Sequence, residues 1–197
     1  MGAWDFLPGR LWIERGCARD YMELARFHYC GGRPATWAGV WVGRYADGGL
    51  KEREGFNGQR AIGSGKSRVV AVGVLSWPTV RLRVRERHFG VEGLTGRERI
   101  AFANRNVRTI SRVVVHPQFR GIGLASEMVH CLLYSCDTRY VEAIAAMGRM
   151  HPFFEKAGMR RVKDEDMRRD EWKAYFVWEN PKYECRNSKQ CRMQENK

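Results

Sequence analysis

Two glycines between apolar segments are the clearest chemical feature of this sequence. Residues 111–129 (SRVVVHPQFRGIGLASEMV) place Gly121 and Gly123 after a valine-rich stretch and before a second apolar stretch. Glycine lets the backbone approach a ligand closely because it has no Cβ atom. A helix beginning here would present free N–H groups and the positive end of its dipole, and both favour phosphate. The pattern therefore predicts a phosphate site built from backbone groups.

Two other kinds of glycine-containing phosphate loop fit the sequence less well. A dinucleotide-binding fingerprint, GxGxxG, needs glycine at the position of Ser126, and the motif lies late in the chain for that fold. Residues 63–67 (GSGKS) resemble the end of a P-loop, GxxxxGK[ST]. However, Arg60 stands where its first glycine is needed, and a strand pattern follows instead of a helix. We interpret residues 63–67 as a flexible loop.

The glycine segment resembles the signature of the GNAT N-acetyltransferases, Q/R-x-x-G-x-G/A. Residues 118–123 (QFRGIG) match it at every fixed position. Residues 153–159 (FFEKAGM) are similar to a second element of that family, F-Y-E-K-x-G-F, at the expected distance. The resemblance covers roughly residues 68–178. It implies an α/β fold of the GNAT acyl-CoA N-acyltransferase type, with a central mixed, mostly antiparallel sheet flanked by helices.

The resemblance also implies acetyl-CoA or another acyl-CoA as the cofactor. Backbone groups of Val113 and Val115 would bind the pantetheine arm as an added strand would, and an amide near Val115 would stabilise an oxyanion. The loop would bind the pyrophosphate, next to the dipole of the following helix. The residues expected at the cofactor are Val113, Val114, Val115, Gln118, Phe119, Arg120, Gly121, Ile122, Gly123, Leu124, Ala125 and Ser126.

Amine attack on a thioester needs a base for the ammonium group and a proton for the leaving thiolate. In many GNAT members, the tyrosine of the F-Y-E-K element gives that proton. Phe154 stands at this position here and cannot donate one. Another group, such as Tyr134, Tyr140 or Tyr175, would have to act, or the thiolate would leave and be protonated by water.

Four residues are candidate catalytic groups: Glu142, His28, Tyr29 and His151. Glu142 interrupts the apolar segment 139–145, where a charge must be paired, exposed at an edge or functional. We favour a function for Glu142, because GNAT substrates approach near this strand. The His28-Tyr29 pair ends the first predicted helix and could line the acceptor side; a histidine stabilised by the helix dipole is the structural alternative. His151 stands at a helix start, where a structural role is the alternative.

The chain of 197 residues has a formal net charge of +13 and a pI near 9.9. Such an excess favours an anionic partner, with nucleic acid as the first candidate, although CoA phosphates also require positive potential. Arg81, Arg83, Arg85 and Arg87 alternate in the sequence. In an extended conformation all four would face one side and could follow nucleic-acid phosphates. A solvated face with nearby glutamates as partners is the alternative.

The elements that would position these groups follow from hydrophobic periodicity and turn residues. We predict helices over residues 10–29, 124–136 and 151–157, and strands over residues 36–45, 68–77, 109–116, 139–145 and 174–178. Residues 46–67 read as a long loop, and residues 79–108 as a basic insertion with helical potential at 97–104. This order is typical of an α/β domain with a mostly sequential sheet.

Length and composition predict one globular domain over residues 1–180 with a polar tail over 181–197. No apolar run has the ~20 residues that span a bilayer, and no signal peptide is recognisable, so we expect a cytoplasmic protein. The six cysteines include no CxxC pair. We therefore expect reduced thiols and no metal site. The sequence does not determine the oligomeric state.

These features favour an acyl-CoA-dependent N-acyltransferase whose acceptor amine lies on or close to nucleic acid, for example a modified DNA or RNA base. An ordinary protein or small-molecule N-acetyltransferase is the first alternative. A non-catalytic CoA-binding module is the second, because Phe154 replaces the proton donor. The third is a GNAT-like enzyme similar to phage-type adenine-modifying proteins, which carry an early His-Tyr pair like His28-Tyr29; a metal near that pair would belong to this alternative.

Overall fold

The computed structural model describes residues 7–29, 32–47, 53–54, 60–61, 67–146, 148, 150–163 and 173–183. Seven of the described strands form one sheet in the order β1-β2-β5-β6-β7-β9-β8, and β3 and β4 pair separately. The strands are β1 (Arg10–Arg15), β2 (Gly39–Ala46), β3 (Arg53–Glu54), β4 (Arg60–Ala61), β5 (Arg68–Ser76), β6 (Val107–Val115), β7 (Tyr140–Ala145), β8 (Arg160–Val162) and β9 (Ala174–Glu179).

The central sheet is mixed and mostly antiparallel. Neighbouring strands run antiparallel throughout, except for β6 and β7, which are parallel. The chain connects these two strands through helix α4 (Leu124–Ser135), as a parallel pair requires a crossover. The predicted fold class is therefore confirmed.

Helices cover both faces of the sheet. The remaining ones are α1 (Ala18–Leu24), α2 (Arg83–His88), α3 (Gly96–Asn106) and α5 (Phe153–Lys156). Helix α4 buries Met128 and Leu132 in the larger core cluster, on one face. Helix α1 buries Tyr21 and Leu24 against valines on the opposite face. Among the described helices, none has the length and apolar content needed to cross a membrane.

Helix α4 lies unusually close to the sheet at Gly73 of β5. A Cβ atom at Gly73 would lie 2.8 Å from Leu132 Cδ1 and 2.8 Å from Met128 Cγ. Contacts this short force neighbours to move, so glycine is needed here for packing and not for its backbone freedom. The close approach packs the middle of α4 directly against β5, the strand that pairs with β6.

One sequence prediction about secondary structure is wrong. The predicted helix 10–29 is strand β1 followed by the shorter helix α1, because Leu11 and Ile13 alternate toward the core and β1 pairs along its length with β2. Within the basic insertion, the arginine-rich segment, for which an extended conformation was considered, forms helix α2 from residue 83 onward. The short strand β8 was not predicted.

The other predicted strands and the helices at 124–136 and 151–157 are confirmed within a few residues. In the basic insertion, the helical potential at 97–104 corresponds to α3, which begins with a capping box between Thr95 and Glu98. Most of the 46–67 loop lies outside the described residues, as does the tail from residue 184 onward. The single-domain assignment stays a prediction.

Candidate active site

The parallel strands β6 and β7 are hydrogen-bonded at one end only. Their register pairs Val107 with Tyr140, Arg108 with Val141 and Thr109 with Glu142, and pairing stops there. The opposite edge of β6 stays paired with β5 up to Val115. Among the described residues, no strand pairs with the β7 side of residues 110–115. We call the opening between residues 110–115 and 143–145 the interstrand gap. Because backbone groups are rarely left unpaired, this edge is suited to an extended ligand that carries amide groups.

A β-bulge marks the point where the two strands separate. Arg112 pairs with Val74 and Ile110 pairs with Leu75, so Ser111 is an extra residue in β6. The hydroxyl oxygens of Ser111 and Ser76 lie 2.7 Å apart, within hydrogen-bond distance. A bulge bends its strand and disrupts the local ladder. This bulge follows the last β6–β7 pair by two residues and accounts physically for the gap.

The loop after β6 is shaped by local hydrogen bonds. Its first turn is a 3₁₀ helix over Pro117–Phe119, and the backbone N–H of Gln118 donates to His116 Nδ1 at 3.3 Å. The Nε of Arg120 donates back to the carbonyl oxygen of Val115 at 3.1 Å. These bonds fold the loop over the end of β6 and bring it to the start of α4.

The two glycines of this loop adopt left-handed backbone conformations. Gly121 has φ 83° and Gly123 has φ 86°, which would cost about 1–2 kcal/mol for a residue with a Cβ atom. Cβ atoms built at these positions would meet nothing within 4 Å. The loop therefore presents bare backbone to open space, as the sequence predicted for a phosphate site.

The N-terminus of α4 adds unpaired amides to the loop. The bond from Glu127 N–H to the Gly123 carbonyl, at 3.2 Å, is the first of this helix. The amides of Leu124, Ala125 and Ser126 precede it, so they have no carbonyl partner within the helix. The helix dipole adds partial positive charge at this end. Together with the glycine loop, these amides fit a pyrophosphate group.

The electrostatic surroundings of the loop are positive. Burial lowers the pKa of the His116 imidazole, and Arg68, Arg26 and Arg120 lower it further because their charges repel the protonated form. His116 is therefore neutral near pH 7, which leaves Nδ1 free to accept from Gln118. Its role in the structure is to shape the loop, while the arginines supply the positive potential.

Most of the predicted cofactor residues named below point their side chains into the core and leave their backbone at the candidate site. Phe119 and Leu124 are buried in the larger core cluster, and Val113, Val115 and Ile122 pack against it. Val114 faces the opposite cluster. Their side chains hold the strand and the loop, so a ligand in the gap would meet their backbone. Arg120 is exposed and remains able to reach a phosphate.

Glu142 lies in a buried polar cluster at the closed end of the interstrand gap. Its carboxylate accepts hydrogen bonds from Arg85 Nη1 at 3.0 Å, Thr109 Oγ1 at 2.7 Å and the Tyr175 hydroxyl at 2.8 Å. The side chains of Arg85 and Glu142 are 3% and 1% exposed. We call these four residues the Glu142 cluster. The sequence left three alternatives for a charge at this position: paired, exposed at an edge or functional. The structure shows that the Glu142 charge is paired.

Tyr175 is a hydrogen-bond donor within this cluster. Burial, followed by the negative charge of Glu142, raises the pKa of the Tyr175 hydroxyl well above its ordinary value. The hydroxyl therefore stays protonated at physiological pH and can donate to the carboxylate. Tyr175 was one of the possible acids in the sequence analysis. Its hydrogen bond to Glu142 could not be predicted, because it depends on how the strands are arranged in space.

The expected arginine row for nucleic acid is not formed. Arg85 is buried in the Glu142 cluster and cannot contact a phosphate, which corrects its assignment. Arg81, Arg83 and Arg87 are exposed, and Arg83 and Arg87 are one helical turn apart on α2. In the helical form, Val84, Arg85 and Glu86 are buried, and Arg85 is bonded to Glu142.

The histidine and tyrosine candidates lie at the surface. The His28 N–H donates to the Ala25 carbonyl at 3.1 Å, and the rings of His28 and Tyr29 are 4.7 Å apart. Phe27, just before them, has its ring 4.9 Å from that of His116, which places this segment near the end of β6. His151 is exposed just before α5. The described residues contain no cluster of three or more metal-ligating side chains.

Phe154, which replaces the tyrosine of the family element, belongs to the core. It is 5% exposed, and its ring stacks on that of Phe176 with centroids 5.0 Å apart. Its place in the sequence matches the family element, but its side chain serves packing and has no proton to give.

A solved structure with a similar architecture identifies the fold. Arabidopsis thaliana NAA60, solved in complex with acetyl-CoA, superposes with a TM-score of 0.52 over 86% of this chain and 99% of its own, at 10% identity. This chain has the GNAT fold. Ard1 from Thermoplasma volcanium aligns over 87% of this chain and 97% of its own, at 15% identity and a TM-score of 0.48. A GNAT-family acetyltransferase from Bacillus cereus aligns over 87% and 99%, at 12% identity and a TM-score of 0.49. By sequence, no family model and no curated protein matches the chain.

Proposed function

We propose that this protein is an acyl-CoA-dependent N-acyltransferase that uses acetyl-CoA or another acyl-CoA. One observation carries the proposal: the unpaired edge of β6 leads directly into the glycine loop and the N-terminus of α4. An acyl-CoA has an extended arm with two amides and a pyrophosphate at one end. The open edge suits the arm, and the loop with its free amides suits the pyrophosphate. The predicted cofactor residues are those that form these two surfaces.

The cofactor would supply an activated acyl thioester, and the chain would supply position and hydrogen-bond donors. Backbone amides along residues 110–115 are available to a carbonyl oxygen placed in the gap. Phe154 is fixed in the core, so we propose that the departing thiolate is protonated by water. His28, Tyr29 and His151 are accessible candidates for the base. Glu142 is enclosed by three donors, which favours a positioning role for it.

Calorimetric binding of acetyl-CoA tests the cofactor assignment. Gly121→Val should weaken binding at least about tenfold, because it distorts the loop and loses hydrogen bonds worth about 1.4 kcal/mol or more. Gly90→Val is the matched control, since Gly90 also has positive φ and open surroundings but lies after α2. Its acetyl-CoA affinity should stay near that of the wild type. Equal affinity for all three proteins would refute the assignment.

Release of free thiol from acetyl-CoA, measured with and without amines, tests the enzymatic part of the proposal. Amine-dependent thiol release with formation of an N-acyl product is expected. Tight acetyl-CoA binding without turnover on any amine panel would favour the non-catalytic CoA-binding module instead.

We propose, as the finer assignment, an acceptor amine on or near nucleic acid. The net charge of +13 supports it, and so do the exposed Arg81, Arg83 and Arg87, whereas Arg85 no longer does. Duplex DNA and RNA binding at about 50 and about 200 mM salt is the test, because phosphate contacts weaken steeply with salt. Binding that is absent or insensitive to salt would direct the search to small-molecule or protein amines.

A further inference from the structure

Arg112 stands on β6 beside the interstrand gap, on the face of the sheet away from α4. It is one residue beyond the bulge and pairs with Val74 of β5. Side chains two residues apart share a face, and Val114 packs with Tyr21 and Leu24 of α1. The glycine loop and α4 therefore approach the gap from one face, while Arg112 borders it on the other. A second substrate arriving on the α1 face would meet Arg112 there.

The guanidinium of Arg112 is incompletely satisfied. Its Nη1 donates to the carbonyl oxygen of Ser111 at 2.7 Å. Its Nε is buried without a hydrogen-bond partner, and it is the one buried side-chain nitrogen or oxygen in that condition among the described residues. No carboxylate of the described part of the chain forms an ion pair with it. A partly buried cation without a counter-charge is costly, and such exceptions call for an explanation.

Arg112 differs from several other arginines of the described residues, which form ion pairs with carboxylates. Other buried charges are paired, as in Arg85–Glu142 at 3.0 Å, Arg99–Glu86 at 3.0 Å and Arg44–Asp20 at 2.8 Å. The fold thus neutralises charges that it buries for stability. Arg112 differs from them in position as well, because it alone of these cations lies on the strand that borders the gap.

We propose that Arg112 binds an oxyanion, a carboxylate or a phosphate, carried by the acceptor amine. The inference rests on the proposed acyltransferase function and deepens it by naming the acceptor class. A planar guanidinium binds such groups through two parallel hydrogen bonds. Anchoring the anionic group at Arg112 would leave the amine of the same molecule to point into the gap. Arg112 would then determine acceptor specificity rather than perform proton transfer.

Two matched acceptor pairs test the proposal: β-alanine against β-alaninamide, and phosphoethanolamine against ethanolamine. The measured quantity is kcat/KM for each acceptor at saturating acetyl-CoA. The wild type should prefer the anionic member of at least one pair, and the pair with the larger ratio identifies carboxylate or phosphate. Arg112→Gln should reduce that ratio by about tenfold to a hundredfold, and Arg112→Lys should fall between. Arg139→Gln, which changes the net charge equally at a surface ion pair with Glu179, should leave the ratio unchanged.

Two results would overturn the proposal while leaving the acyltransferase intact. One is a wild-type enzyme that shows no preference for anionic acceptors. The other is an Arg112→Gln variant that loses activity equally on charged and neutral acceptors, since that is the pattern of a purely structural arginine. The acetyl-CoA dissociation constant and thermal unfolding midpoint of each variant show whether the fold and cofactor site are kept.

A failure of the acyltransferase proposal would be seen separately, as absence of transfer to every amine. In that case, NMR shifts measure the binding of inorganic phosphate and of acetate to the wild type and to Arg112→Gln. This measurement decides whether Arg112 forms an oxyanion site. Binding that depends on Arg112 would support the oxyanion site on its own. Binding equal in the two proteins, or absent from both, would overturn it.

Discussion

Removing the carboxylate of Glu142 should destabilise the protein strongly. Glu142→Ala leaves the Arg85 guanidinium, 3% exposed, without its counter-charge. It also deprives the hydroxyls of Thr109 and Tyr175 of their acceptor. Breaking a buried ion pair from one side costs about 3–5 kcal/mol. A domain of this size has a free energy of unfolding of about 5–15 kcal/mol, so this single change should remove a large fraction of it.

Urea unfolding of a double-variant set measures this loss and its cause. Replacing both partners, in Arg85→Met/Glu142→Leu, removes the buried charges together. Well-packed apolar replacements of buried pairs are often neutral or stabilising, so the double variant should recover the part of the loss that the unpaired Arg85 charge causes. The hydroxyls of Thr109 and Tyr175 still lack their acceptor in it, so the part of the loss that they cause should remain. An equal slope of free energy against urea among the variants would show that their unfolding transitions are comparable.

Two outcomes would refute this account of the Glu142 cluster. The first is a loss of less than about 1 kcal/mol in Glu142→Ala, the size of an exposed pair. The second is a double variant as unstable as Glu142→Ala. The same set also tests Glu142 as a base. A stable double variant that binds acetyl-CoA but no longer transfers the acyl group would support catalysis, whereas retained transfer would assign the residue to structure.

Three further variants probe the loop, the packing of α4 and the start of α3. Burial and nearby arginines lower the pKa of His116 in the folded protein below its ordinary value of 6.5. As the pH falls below 6.5, the His116 imidazole is therefore protonated in the unfolded chain before it is protonated in the folded one. The free energy of unfolding then decreases until the pH reaches the pKa of the folded state, and His116→Asn should flatten this slope in urea titrations. Gly73→Ala should lower the free energy of unfolding by about 1–3 kcal/mol through overpacking. Gly93→Ala, with open space at its Cβ position, should leave it nearly unchanged. A loss at Gly73 as small as that at Gly93 contradicts the packing argument. Thr95→Ala should cost about 1 kcal/mol by removing the cap of α3, and an unchanged urea midpoint would show that the cap is dispensable.

Local features of the sequence were enough to predict the elements around the proposed cofactor site. The valine-rich strand, the glycines and the apolar helix are encoded within residues 107–135, where each preference depends on near neighbours. Gly121 and Gly123, predicted to let the backbone approach a ligand, have left-handed conformations that glycine adopts without steric cost. Strong local signals of this kind survive folding because tertiary packing agrees with them.

Ambiguous segments were decided by their partners in space. Leu11 and Ile13 fit a helix pattern and a strand pattern alike, and pairing of β1 with β2 selects the strand. The alternating arginines of residues 81–87 are compatible with an extended row, but burial of Val84 and Arg85 selects a helix. Short segments have weak intrinsic preferences, so contacts with the rest of the chain outweigh them.

The polar arrangement at the gap depends on tertiary structure alone. Glu142 meets Arg85 across 57 positions and Tyr175 across 33 positions of the chain, distances over which a sequence pattern carries no pairing information. Nothing in the sequence distinguishes Arg112 from the other arginines. The strand arrangement puts it beside the interstrand gap, and its Nε is buried without a hydrogen-bond partner. Residue preferences within residues 107–135 were sufficient to predict the glycine loop and its flanking elements, because those preferences are local. The folded chain decided which charges are neutralised and which one, on the strand beside the gap, has no carboxylate partner among the described residues, because electrostatic pairing depends on distances that only the fold sets.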